Sequence, residues 1–257
     1  MPDHPTPGIL PALSFPWPRW IVHRGGGDAA PENTLAGMLL AAFAGAKMVE
    51  FDVRLSADGV PFLLHDDTLE RTTDGHGPAD ALSWKVLSRL DAGAWFSPRF
   101  AEEPLPSLAD AAQLLNDHGL CANVEIKPSP GREAETGARV AADCARLFAG
   151  QTPPPLLTSF STVALTAAGE AAPALPRAWS VRQWDDGLIA QAQALGVCAL
   201  DLPYSELNAE RAAAVRAAGL WLLSWTVNDP AQAAPLWALG VSALCTDSLA
   251  CAASTTF

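Results

Sequence analysis

The chain has 257 residues, a length that suits either one large α/β barrel or one to two domains of ordinary size. An apolar fraction of 49% against 17% charged residues excludes a disordered chain. Sixteen Lys and Arg against 28 Asp and Glu leave a formal charge of -12, which argues against a nucleic-acid partner and against a polybasic membrane anchor.

The first 18 residues are rich in proline and predict an irregular arm. They contain no apolar run of signal-peptide length, and no stretch of about 18 apolar residues occurs anywhere, so the expectation is a cytoplasmic protein without a transmembrane helix. Ile21-Val22-His23 reads as a short buried strand. Asn33 is expected to cap a helix over Thr34 to Gly45, with Leu35, Met38, Leu39, Ala42 and Phe43 on one face. Met48 to Arg54 alternates as a strand, Asp58-Gly59 as a tight turn, and Val60 to His65 as a returning extended arm. From Asp66 to about Pro106 the periodicity lapses among Thr72, Thr73, Gly75, Gly77, Pro78, Pro98, Pro104 and Pro106, as in an insertion.

Alternation then resumes. Helices are predicted over Leu108 to His118, Arg132 to Phe148, Thr162 to Glu170, Asp186 to Leu195, Asn208 to Ala218 and Pro230 to Leu239. Strands are predicted over Leu120 to Lys127, Pro155 to Ser159, Ala174 to Val181, Val197 to Leu202, Leu220 to Val227 and Val241 to Thr246. Eight strands alternating with helices predict a parallel sheet closed as a TIM barrel. Residues 1–257 are thus expected to form a single domain, with an insertion at about 66–106 after the second strand. No G-x-G-x-x-G opens a helix, so a dinucleotide fold is disfavoured. The five cysteines, Cys121, Cys144, Cys198, Cys245 and Cys251, are odd in number and lack C-x-x-C spacing. They read as small hydrophobes in a reducing compartment rather than as a zinc site.

Function in such a barrel belongs at the C-terminal ends of the strands. Those ends carry His23 and Arg24, Glu50 and Asp52, His65, Glu125 and Lys127, Ser159, Trp225 and, after the last strand, Asp247. Glu50 and Asp52 lie two apart on a strand and share a face, as do Glu125 and Lys127. Val49, Phe51 and Val53 are expected to face the helices, which turns Glu50 and Asp52 inward. Three converging carboxylates repel one another unless they share a cation, and an all-oxygen donor set points to Mg²⁺ or Ca²⁺. His23 and His65 beside them suit paired acid–base work on a phosphate, with metal ligation the rival role for one of them. His4, His76 and His118 read as structural or solvated.

Several separated blocks agree in order: His23-Arg24-Gly25, Pro31-Glu32-Asn33-Thr34, Glu50-Phe51-Asp52-Val53, His65-Asp66 with Leu69, Arg71-Thr72-Thr73 and Gly75, Glu125-Ile126-Lys127, and Trp225-Thr226-Val227-Asn228. Together they resemble the glycerophosphodiester phosphodiesterase family, from about Trp20 to Leu249. The resemblance implies a TIM barrel with a small insertion. It implies Glu50, Asp52 and Glu125 as ligands of one divalent cation (Mg²⁺ or Ca²⁺, with Mn²⁺ an option) and His23 and His65 as the general acid–base pair. Arg24 and Lys127 become the phosphate clamp, and Trp225 a wall of the glycerol pocket. The reaction implied is hydrolysis of a small glycerophosphodiester to glycerol 3-phosphate and an alcohol. Gly25-Gly26-Gly27-Asp28-Ala29-Ala30 departs from the family's usual run and is read as a change in loop flexibility.

Two other readings stand beside this one. A lysophospholipase-D-like activity would need an apolar lip, for which Trp84, Trp95 and Phe96 are candidates. A non-catalytic phosphodiester-binding barrel would keep the fold without the chemistry. The head group, the order of proton transfers and the oligomeric state stay open at this level.

Overall fold

Along each strand, residues alternate between a set that faces helices and a set that faces inward, and this alternation organises the molecule. The computed structural model describes residues 14–253; most of the proline-rich arm, with His4, lies outside the described residues. The first strand, β1 (Trp20–Val22), is followed by α1 (Leu35–Phe43), β2 (Met48–Leu55), β3 (Pro61–Leu63), α2 (Trp84–Leu87) and α3 (Leu108–His118). Then come β4 (Cys121–Ile126), α4 (Glu133–Leu147), β5 (Leu156–Ser159), α5 (Thr162–Ala171), β6 (Arg177–Ser180) and α6 (Leu188–Leu195). The chain continues through β7 (Ala199–Pro203), α7 (Ala209–Ala217), β8 (Trp221–Trp225), α8 (Pro230–Ala238), β9 (Ala243–Thr246) and α9 (Leu249–Ala252).

Eight of these strands form a closed parallel ring in the order β1-β9-β8-β7-β6-β5-β4-β2, with β2 returning to β1 through Val22 and Val49. This is the predicted TIM barrel. The ninth strand, β3, lies outside the ring and pairs antiparallel with β2. The helix-facing residues Val49, Phe51, Val53, Val124, Ile126, Leu157, Leu200 and Leu222 are buried against Met38, Leu115, Val140, Leu165 and Val215 from the helices. Burying each such side chain contributes roughly 1.5–3 kcal/mol.

The inward set changes character along the barrel axis. Toward the N-terminal ends it is apolar: Ile21, Met48, Leu156, Ala178, Ala199, Leu223 and Ala243, with Trp17 packed against them. Trp17 meets Phe15 and Trp221 ring to ring and donates its indole N–H to the Pro154 carbonyl at 2.7 Å. One register step further on, six of the eight inward positions are polar, His23, Glu50, Asn123, Thr158, Ser180 and Asp201, and the others are Trp225 and Cys245.

Most helix limits follow from capping. α3 starts at Ser107, whose hydroxyl accepts from the Asp110 amide while the Asp110 carboxylate accepts from the Ser107 amide. It stops at Gly119 in the left-handed conformation. The cap of α1 differs from the prediction. Thr34, not Asn33, accepts from the Gly37 amide, because Asn33 itself is left-handed at φ 57° and sends its side chain to Asp52. α6 begins at Leu188, two residues later than predicted, after a turn closed by the Asp185 carboxylate on the Gly187 amide.

The excursion after β3 builds a core of its own from Phe62, Leu64, Leu69, Ala79, Leu87, Ala92 and Leu105. Glu103 fastens it to the barrel by accepting from the Ala36 amide in the first turn of α1 at 2.9 Å. Trp84 packs near Phe62, while Trp95, Phe96 and Phe100 meet edge to face on its surface. Among the described residues no helix is long and apolar enough to cross a membrane. The five cysteines form no disulfide, and Cys144, Cys245 and Cys251 are buried.

Candidate active site

The eight residues singled out in the sequence meet at the C-terminal mouth of the barrel. A cavity of about 360 Å³ is lined there by His23, Arg24, Glu50, His65, Glu125, Lys127 and Trp225. Asp52 sits beneath them, 1% exposed. Strand register explains the gathering, because Asp52 on β2 is paired with Glu125 on β4. Neighbouring parallel strands in register turn matched positions to the same side.

Glu50, Asp52 and Glu125 each present a carboxylate oxygen within 4.8 Å of the others. Burial first, and the charge of Asp52 second, raise the pKa of both Glu50 and Glu125. For Asp52 the upward push of burial is outweighed by Lys127, His65 and Arg24 and by the hydrogen bond from Asn33, so its pKa is lowered. Glu50 Oε1 is buried with no hydrogen-bond partner. Three converging acids, one of them with an unsatisfied buried oxygen, fit a hard divalent cation.

Two cations flank this cluster. Lys127 Nζ lies 3.2 Å from Glu125 Oε1 and 3.8 Å from Asp52 Oδ1. Arg24 adopts φ 50°, which aims its backbone N–H at Glu50 Oε2 at 2.8 Å and brings its Nε to 3.9 Å from Asp52 Oδ2.

Each imidazole is held by an aspartate. His23 Nδ1 is 2.7 Å from Asp247 Oδ1, and His65 Nδ1 is 2.6 Å from Asp66 Oδ1. A carboxylate can only accept, so Nδ1 carries the proton in both rings and Nε2 is left for chemistry. Arg54 fixes the His65 backbone by donating to its carbonyl from Nη2 at 2.8 Å. The two environments separate the pKa values. Burial lowers His23, but the Asp247 bond and the charge of Glu50 outweigh it, so its pKa is raised. For His65 the lowering by burial prevails over Asp52 and Asp66.

The glycine run has a packing reason rather than a flexibility one. Gly25 and Gly27 are left-handed at φ 81° and 58°, and a Cβ on Gly27 would collide with the Asp247 carbonyl. A Cβ on Gly26 would meet the Gly37 Cα at 2.9 Å. The loop is drawn tightly over the end of β9 and the start of α1.

Sequence reasoning missed Asp201. It points into the cavity from β7 beside Ser180, whose hydroxyl oxygen is 3.2 Å away, and burial pushes its pKa up to about 7. Its signal was the same as that of Glu50: a charged residue between the apolar neighbours Leu200 and Leu202. Also unforeseen is the rim, where Arg182 stacks on Phe160 with 4.6 Å to the ring centroid and Phe160 meets Trp225 at 6.0 Å. None of Trp84, Trp95 and Phe96 lines the cavity.

Comparison with known proteins adds to this geometry. The model of the Glycerophosphoryl diester phosphodiesterase family matches residues 23–250. YhdW of Bacillus subtilis (strain 168), provisionally named a glycerophosphodiester phosphodiesterase, is 30% identical over 233 residues, covering 88% of this chain and 93% of the relative. The structure of an Oleispira antarctica phosphodiesterase in complex with the product sn-glycerol-3-phosphate superposes with a TM-score of 0.84 at 35% identity, covering 90% of this chain and 93% of that one. A glycerophosphodiester phosphodiesterase from Agrobacterium tumefaciens gives 0.75 at 28% identity, covering 91% and 98%.

Proposed function

Since the chain belongs to the glycerophosphoryl diester phosphodiesterase family, we propose that it hydrolyses glycerophosphodiesters to glycerol 3-phosphate and an alcohol by histidine acid–base catalysis beside a divalent cation. The observation that carries this reading is the triad of buried Glu50 and Asp52 with half-buried Glu125 under two aspartate-held imidazoles. The glycerol 3-phosphate in the Oleispira antarctica complex supports the substrate class.

Glu50, Asp52 and Glu125 would hold the cation, Mg²⁺ or Ca²⁺ by their oxygen chemistry, and when bound it stabilises negative charge developing on the phosphoryl oxygens. Arg24 and Lys127 hold the phosphate from two sides and oppose the same charge. The separated pKa values divide the work of the imidazoles. His65, held low, is neutral near pH 7 and takes a proton through Nε2 from the attacking hydroxyl, either that of water or that of the glycerol, whose cyclic phosphate a water then opens. His23, held high, keeps its proton and delivers it from Nε2 to the departing alkoxide. Trp225 walls the glycerol moiety. Residues 1–257 act as one barrel domain carrying the 66–106 insertion, in the cytoplasm, on a small molecule.

The test is release of glycerol 3-phosphate from a panel of glycerophosphodiesters, each with and without chelator. Release that stops with chelator and returns with Mg²⁺ or Ca²⁺ is the expected result. Binding without turnover in every metal would overturn it, and faster turnover of lysophospholipids than of any deacylated substrate would reassign the substrate.

A further inference from the structure

Five ionisable side chains join the two sides of the site in one continuous chain. His65 Nδ1 bonds Asp66 Oδ1 at 2.6 Å. Arg71 donates from Nε to Asp66 Oδ2 at 2.6 Å and from Nη2 to Asp66 Oδ1 at 3.0 Å. The same guanidinium donates from Nη1 to Glu32 Oε2 at 2.7 Å and from Nη2 to Glu32 Oε1 at 2.8 Å. Glu32 Oε1 also accepts from Arg24 Nη1 at 2.9 Å. Arg71 thus grips two carboxylates at once, one beside each working part of the site, and touches neither the cavity nor the carboxylate triad.

Resting on the reading above, we propose that Arg71 is a positioning residue for the reaction: through Asp66 it fixes the tautomer and orientation of His65, and through Glu32 it keeps Arg24 available for the phosphate.

The backbone around Arg71 is anchored for such a task. Leu69 is fully buried in the insertion core, Thr73 bonds the Leu69 carbonyl through its hydroxyl at 2.7 Å, and that oxygen accepts from the Gly75 amide at 3.0 Å. The Arg71 side chain is 43% exposed, which for a single ion pair would make it nearly dispensable. A planar guanidinium with a two-point bond to each of two carboxylates is geometrically far more constrained than a single pair.

Loss of Arg71 acts differently on its two sides. Asp66, now bonded to the His65 ring alone, is free to rotate, so that ring loses its fixed Nδ1–H and the proton-transfer step slows. Glu32, relieved of one cation, spends its whole charge on Arg24, which then competes less well for phosphate. The first effect lowers kcat and the second raises KM. Removing an outer partner of a working histidine typically costs about 10- to 100-fold.

The experiment compares wild type, Arg71→Ala, Arg71→Lys, His65→Ala and the Arg71→Ala/His65→Ala double variant, with Glu32→Gln as a second route to the Arg24 arm. Arg71→Ala is expected to lower kcat about 10- to 100-fold and to raise KM several-fold, with free guanidinium restoring turnover and ammonium not, and Arg71→Lys falling between. In the His65→Ala background, Arg71→Ala should change kcat by less than about threefold, because its route is already removed. Ring ¹⁵N shifts should report one Nδ1–H tautomer for His65 in wild type and a mixture in Arg71→Ala. This spectrum needs no substrate. If Arg71→Ala does not fold, the same shifts and kinetics are read in Arg71→Lys. An unchanged tautomer, or a kcat loss of equal size in both backgrounds, overturns the proposal. A wild type inert toward every glycerophosphodiester would instead sink the functional reading, and the spectrum would still decide the His65 arm.

Discussion

His23 and Asp247 lie 224 residues apart in the chain, yet His23 Nδ1 sits 2.7 Å from Asp247 Oδ1. The aspartate is itself held by the Asn228 side-chain amide at 2.9 Å. This bond keeps the His23 pKa above its ordinary value against the downward pull of burial. Asp247→Asn is therefore expected to lower kcat by about two orders of magnitude and to move the alkaline limb of the pH–rate profile to lower pH. An acid with a lowered pKa loses its proton sooner as pH rises. A profile whose alkaline limb stays in place would remove His23 from the acid role.

On the proposed division of work, His65 is expected to supply the opposite limb. Burial lowers its pKa, so activity should rise as pH passes through a value below the ordinary imidazole range. His23→Ala and His65→Ala should each reduce turnover by about two to four orders of magnitude, with circular dichroism unchanged. Near-normal turnover in a folded variant would excuse that histidine from proton transfer.

The carboxylate cluster predicts a metal titration. Glu125→Gln removes one charge of three and should move the activating Mg²⁺ or Ca²⁺ concentration upward by tenfold or more on the order-of-magnitude scale of a lost ligand. Calorimetry of metal binding checks this directly, and an unchanged isotherm would exclude Glu125 as a ligand.

Asp201 predicts a stability profile. Its folded pKa of about 7 lies above the ordinary carboxylate value, so its contribution is intact below about pH 4 and is lost as pH rises through 7. In chelator, Asp201→Asn should be more stable than wild type at pH 8 by on the order of 2–4 kcal/mol, and the two should converge near pH 4. Thermal melts across that range are the measurement, and parallel curves would contradict the raised pKa of this acid.

Arg182 bears on the head group. Its guanidinium covers one face of Phe160 at the rim of the cavity, and an aromatic face is a surface of the kind that takes a quaternary ammonium. Arg182→Ala should raise kcat/KM for glycerophosphocholine relative to glycerophosphoserine by several-fold, roughly 1 kcal/mol at an exposed site. An unmoved ratio would place the head group elsewhere.

Much of this architecture is legible in the sequence, because periodicity and capping are local. Met48 to Arg54 states by alternation which side chains face the helices, and Leu108 to His118 is bounded by Ser107 and Gly119. Glu50 and Asp52 announce themselves as acids between Val49, Phe51 and Val53. What escaped depends on distance in sequence. Asn33 looks like a helix cap until the chain brings Asp52 within 2.8 Å of it. Asp247 and Arg71 stood in the sequence as letters without partners, since their hydrogen bonds cross from one loop to another. Gly27 reads as slack only until the Asp247 carbonyl is seen against its Cα hydrogens.

The loop after β1 also closes the barrel seam. The Asp28 amide donates to the Asp247 carbonyl at 2.9 Å, and the His23 amide to the Thr246 carbonyl at 2.8 Å. The first residues of the candidate site are thereby completed at the end of the last described strand. During synthesis, His23 and Arg24 precede their partner Asp247 by more than 200 residues. A chain that lacks β9 and Asp247 leaves the His23 ring without its carboxylate, so a complete site records that the two sides of the barrel seam have met.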